Sequence, residues 1–118
     1  MKKTLVLLLS VFVWTIAATA HYTGKVPTAY AAPAKNVTIS NFQFTPKMIT
    51  IKAGGSVTWT NKEGTHTVTA DDNSWESPTL NAGKSFRRQF ATAGTYRYHC
   101  SFHGSPGGDM SGVVNVIR

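Results

Sequence analysis

From residue 35 onward the chain reads as an all-β fold, an antiparallel β-sandwich, and three observations carry that expectation. Apolar and polar residues alternate over short runs, most plainly in Ser56 to Asn61, where Val57 and Trp59 interleave with Ser56, Thr58 and Thr60. Gly, Pro, Asn and Lys turn residues separate these runs, and no helical periodicity is long enough to compete with them. At 118 residues the chain has the length for one domain with a real core and not for two.

The sandwich is preceded by two segments of different character. Met1-Lys2-Lys3, the apolar run Leu5 to Ala20 and the small residues Ala18-Thr19-Ala20 mark residues 1–20 as an export signal peptide. An uncleaved membrane anchor is the alternative, because the run approaches the minimum spanning length. Both readings put the domain outside the cytoplasm, in a periplasm or the extracellular space. Residues 21–34 mix Gly24, Pro27, Pro33 and alanines without a period and read as a flexible lead-in, in which nothing positions His21.

Within the domain, 35–118, Val37, Ile39, Phe42 and Phe44 mark a first strand. A second, with Met48, Ile49 and Ile51, follows Pro46 and stops at Ala53-Gly54-Gly55. After the strand Ser56 to Asn61 and a turn through Gly64, Thr65 to Ala70 forms a strand with His66, Val68 and Ala70 on its apolar face and the threonines on the other. Asp71 to Pro78 is irregular and acidic, with Trp75 folded over the sandwich end. In the strand Gly83 to Phe90, Arg88 falls between Phe86 and Phe90, an edge position where the stem packs and the guanidinium reaches water. Tyr96, Tyr98 and Cys100 then point inward and His99 outward, and the valine run of Gly112 to Ile117 suggests a last strand covered on both faces.

The chemistry concentrates between Tyr98 and Met110. The single cysteine forms no intramolecular disulfide, and a lone thiol in an exported protein has either a task or a deep burial. Cys100, His103 and Met110 are three soft or borderline metal donors, and Gly104, Pro106, Gly107 and Gly108 make the segment after Cys100 a loop rather than a helix. Taken singly they read as a small buried apolar residue, a loop histidine and a core plug. As a set they suit copper or zinc but lack one strong ligand. His66, an imidazole on an apolar strand face at another strand end, supplies it.

The formal net charge of +7 favours acidic protein partners or an anionic membrane surface. Nucleic acid is disfavoured: the cations are scattered, with only Arg87-Arg88 adjacent in the mature part, and no nucleic-acid motif is present. Three other readings stay open on the residues alone. A hydrolytic zinc site needs a general base, for which Glu63 and Asp109 are the acids nearest the ligands in sequence. A nucleophilic Cys100 needs an exposed thiol, against its inward phase. A metal-free adhesion sandwich needs neither.

The ordered set His66, Cys100, His103, Met110 resembles the cupredoxins, small blue-copper proteins of the plastocyanin and amicyanin pattern. So do the fragments Phe42-Gln43-Phe44-Thr45-Pro46, Ile49 to Gly54, Val57 to Asn61, Gly94-Thr95-Tyr96 and Met110 to Val114. The resemblance spans about Asn36 to Ile117. It implies a Greek-key sandwich and one type 1 copper cycling between Cu(I) and Cu(II). His66 and His103 would bind through imidazole nitrogen, Cys100 through thiolate and Met110 as a distant axial donor. The function implied is single-electron shuttling without catalysis, between acidic redox partners such as a cytochrome or a copper or haem enzyme, by a monomer; copper storage or delivery, or a zinc-binding β-sandwich without a redox role, is the alternative. Six residues, Gly104 to Asp109, separate His103 from Met110, more than that pattern has, so Asp109 or a water competes for the axial place. His103 among Phe102, Gly104, Pro106, Gly107 and Gly108 is the expected docking face, and His99 a second electron route. Thr67 and Ser101 are expected to bond across the two ligand loops.

Overall fold

A computed structural model describes residues 33–118, so the signal peptide and nearly all of the lead-in lie outside the described residues. The strands are β1 (Ala34–Ser40), β2 (Gln43–Thr45), β3 (Met48–Lys52), β4 (Ser56–Asn61), β5 (Thr69–Ala70), β6 (Ser85–Gln89), β7 (Gly94–His99) and β8 (Ser111–Ile117). They form two four-stranded sheets, ordered β2-β1-β4-β6 and β3-β8-β7-β5. The sandwich is the one expected, but the sheets are mixed, since β1 pairs with β4 and β3 with β8 in parallel. The reason lies at Pro46, which has no N–H for a ladder. There the descending chain leaves the first sheet and continues into the second as β3, without the reversal that would have made an antiparallel neighbour.

The two sheets close on a core of aromatic rings. Trp59, fully buried on β4, lies with its ring centroid 5.4 Å from Tyr98, 5.8 Å from Phe86 and 6.1 Å from Trp75. β6 is an edge strand, and Arg88 on it lies over the rings of Trp75 and Phe90, its Cζ at 4.8 and 5.5 Å from their centroids. A cation between two aromatic positions is thus accommodated at the sheet margin.

Four sequence expectations change. The first strand is a hairpin: the chain reverses at Asn41 and Phe42, both at positive φ (51° and 52°), and Phe42 is exposed in the turn rather than part of a strand. Thr65 to Ala70 is not a half-buried strand. Only Thr69 and Ala70 belong to β5, His66 bridges Leu80, and every residue from His66 to Ala70 is buried. The stretch 75–80 lies across what would have been the solvent face, with Ser77 N–H donating to Val68 O and Val68 N–H to Ser77 Oγ, both at 2.9 Å. The outer face of β8 is only partly covered, with Val113 and Asn115 half-buried, because nothing packs outside that sheet among the described residues. His99 does lie opposite to Cys100 but is buried, its Nδ1 2.7 Å from Asp71 Oδ1.

The connections after β4 and β7 and the β1–β2 hairpin all emerge at one end of the sandwich, and the candidate donors stand there.

Candidate metal centre

The loop after β4 is built around Asn61, which follows Val57 and Trp59 on the inward face and is fully buried. Its Nδ2 donates to Gly64 O and Leu80 O, each at 2.8 Å, and its Oδ1 accepts Glu63 N–H at 3.2 Å. An asparagine in the inward phase of a strand is itself a signal of a buried polar task. Gly64 completes the approach. Its φ is +71°, and a Cβ there would lie 3.0 Å from His66 Nε2. With that nitrogen turned toward the loop, Nδ1 faces the interior. His66 N–H and O both pair with Leu80, at 3.0 and 2.8 Å, so its backbone is fixed as well.

Cys100 directly follows β7 and is fully buried, its N–H donating to Met110 O at 3.0 Å. Gly104 N–H returns to Cys100 O at 2.9 Å, a turn that swings His103 back over the thiol. Only glycine fits at 104, because a Cβ would meet Asp109 O at 2.3 Å and Met110 O at 2.8 Å. The longer loop folds on itself, with Gly108 N–H donating to Ser105 O and Ser111 Oγ to Gly108 O. Met110 therefore returns beside Cys100 and is buried, at φ +41°, while Asp109 is exposed and stands apart from the donor group.

The three strong donors converge. His66 Nδ1 lies 3.1 Å from His103 Nδ1, and Cys100 Sγ lies 3.7 and 3.6 Å from those two nitrogens. The point equidistant from all three is about 2.0 Å from each, against bonds of about 2.0 Å for imidazole nitrogen and about 2.3 Å for thiolate on a first-row metal. Two imidazoles and a sulfur facing one small volume, two of the three buried, fit a single borderline-soft ion.

The surroundings reinforce this placement. Burial first, and the neighbouring His103 second, hold the His66 pKa below its ordinary value. A deprotonated imidazole is the form that binds a metal. Thr67 N–H points at Cys100 Sγ at 3.5 Å, and Thr67 Oγ1 lies 2.9 Å from both Ser101 Oγ and Ser101 N, the bond across the two loops that the sequence suggested. Phe42, expected within the first strand, stands almost perpendicular to both imidazoles, its centroid 4.9 Å from His103 and 5.8 Å from His66. With exposed Phe102 it extends the apolar surface around His103.

Comparison with known proteins agrees with this geometry. Residues 5–111 match the family described as the cupredoxin-like domain. The chain is 39% identical over 85 residues to plastocyanin of Scenedesmus fuscus, covering 62% of this chain and 85% of that one. It is 33% identical over 88 residues to amicyanin-alpha of Methylorubrum extorquens, covering 68% and 74%. Among solved structures, a reduced Cu(I) form of an amicyanin variant superposes with a TM-score of 0.63 at 29% identity, over 75% of this chain and 88% of that one. The copper-containing nitrite reductase of Thermus scotoductus gives 0.63 at 26% identity over 73% of this chain, which spans only 23% of that protein.

Proposed function

The chain belongs to the cupredoxin-like family, and from that premise we propose that it is an exported blue-copper electron carrier. In this reading His66, Cys100 and His103 hold one copper and Met110 is its weak axial donor. The convergence of three N and S donors on one point carries the assignment. Copper is the metal of the matched amicyanin structure and of the matched nitrite reductase, and this donor set suits it. When bound, copper supplies the one-electron chemistry by alternating between Cu(I) and Cu(II).

The residues of the chain set the terms of that exchange. Backbone bonds at His66 and Cys100 hold two donors in place independently of any ion, so little needs to move when charge changes. Thr67 N–H, aimed at Cys100 Sγ, stabilises negative charge on sulfur. His103, exposed among Phe42 and Phe102, brings the edge of the site to the surface where a partner's cofactor approaches. A carrier rather than an enzyme is the reading, because the Glu63 carboxylate is engaged by Asn41 N–H and Asp109 faces solvent, which leaves neither poised as a base at the donors. Without Lys2 and Lys3 of the signal peptide the net charge is +5, and this basic balance favours acidic redox partners outside the cytoplasm.

Adding Cu(II) to the purified apoprotein and recording visible and electron spin resonance spectra tests the assignment. An intense thiolate-to-copper band with a narrow hyperfine splitting is expected. A colourless product with the spectrum of an ordinary tetragonal Cu(II) complex contradicts it.

A further inference from the structure

We infer that Phe42 is a positioning residue for the metal centre, an aromatic clamp that holds His103 in its ligating orientation. The inference rests on the copper reading above and goes beyond it to a residue that donates nothing to the metal. Its starting point is a conformational anomaly. Asn41 and Phe42 are the two central residues of the hairpin between β1 and β2, with Ser40 paired to Gln43 across it. Both have positive φ, 51° and 52°, the pattern of a turn that strongly prefers Asn-Gly. A phenylalanine here adopts a backbone that bulky L-residues avoid, and the residue is 62% exposed, so neither turn geometry nor core packing accounts for it.

What the ring touches does account for it. The two imidazoles are secured in different ways. His66 is buried, paired with Leu80 through its backbone and backed by Gly64. His103 is exposed, and among the described residues its ring has no hydrogen bond beyond those of Nδ1 within the donor cluster. Besides His66, the rings packed against it are Phe42 at 4.9 Å and 78° and Phe102 at 6.3 Å and 69°. Phe42 also reaches His66, at 5.8 Å and 87°, so one ring braces both imidazoles. The turn carrying it is tied to the loop that leads to His66: Asn41 N–H donates to the Glu63 carboxylate and Lys62 N–H to Ile39 O. The strained conformation is therefore held by contacts to the same loop that positions the buried ligand.

This arrangement sets stability against site retention, and the opposition supplies the test. In Phe42→Gly the turn becomes Asn-Gly, its preferred pair, while the brace on His103 disappears. The full chain is loaded with copper, reduced and exposed to excess bathocuproine disulfonate, and the rate of copper transfer is followed optically. Thermal unfolding of the metal-free variant is measured alongside. Phe42→Gly should lose copper about three- to tenfold faster than wild type, the span expected from one aromatic edge contact. Its metal-free form should melt no lower than wild type, and Phe42→Tyr should return the rate to the wild-type value. Equal rates in wild type and Phe42→Gly overturn the inference while leaving the copper assignment intact. Faster loss with a clearly lower melting temperature also overturns it, because the effect is then structural. Wild-type protein that takes up no copper overturns the copper assignment and the clamp together.

Discussion

Asn61 is the residue whose removal most directly tests how the His66 loop is built. Asn61→Ala deletes three hydrogen bonds: two from Nδ2, at 2.8 Å each to Gly64 O and Leu80 O, and one into Oδ1 from Glu63 N–H at 3.2 Å. A net value of about 1 kcal/mol per bond makes the upper figure about 3 kcal/mol. Two corrections lower it. Gly64 and Glu63 are exposed, so their backbone groups can turn to water, and Leu80 O keeps the bond from His66 N–H. A loss of about 2 kcal/mol remains, which for a domain of this size is a fall in melting temperature of about 10 °C. Thermal and urea unfolding of the metal-free protein measure it. Asn61→Asp refines the test, because it keeps the acceptor and volume but replaces the donor with an anion facing two carbonyl oxygens. It should be at least as destabilising at neutral pH. A change below about 0.5 kcal/mol in Asn61→Ala, or an Asn61→Asp more stable than it, would refute the claim that the buried amide organises this loop.

Other consequences are equally accessible. Cys100→Ala should abolish the visible copper absorption, whereas Met110→Leu should keep a coloured site with a shifted reduction potential; spectroscopy and voltammetry separate the two. Burial pushes the Tyr98 hydroxyl pKa up to about 12, and the hydroxyl has no hydrogen-bond partner among the described residues. A folded-state pKa above the unfolded value of about 10 gives stability that is intact below pH 10 and falls as pH climbs toward 12, by about 2–3 kcal/mol in all. Tyr98→Phe should remove that alkaline loss without lowering stability at pH 7, measured by urea midpoints across the range. Electron transfer to an acidic partner should slow as ionic strength rises from about 0.01 to 0.15 M, because the Debye length shrinks from about 30 to 8 Å. Rates in stopped flow that ignore salt would remove charge from the docking argument.

What could be read from residues alone divides along a physical line. Val57, Trp59, Tyr98 and Cys100 were legible because strand alternation is a local rule, and the core takes them as alternation requires. Cys100 and His103 were legible because a short glycine-rich loop brings near neighbours together whatever surrounds them. The alternation reading of His66 to Ala70 failed because the covering segment 75–80 comes from outside the strand, and local periodicity carries no record of it. Parallel pairing escaped for a similar reason: the switch of sheets at Pro46 is a tertiary choice. Phe42 was misplaced because Asn-Phe is not a turn signal. A sequence that breaks its turn's preference looks, from the outside, like one that has no turn.

The two buried donors are fixed chiefly by neutral hydrogen bonds. The one histidine–carboxylate contact among the described residues, His99 Nδ1 with Asp71 Oδ1, lies on the far side of the strand from the thiol. Backbone hydrogen bonds, one buried amide, two glycines and a threonine hydroxyl set the positions of His66 and Cys100. Such contacts are short-ranged and do not change with the charge of a bound ion, whereas nearby charged groups would feel every change of oxidation state. A frame built this way resists both collapse when the site is empty and rearrangement when an electron arrives. The strong donor outside that frame is His103, held by rings at the surface, so exchange with partners and loss of metal are expected to begin on the same imidazole.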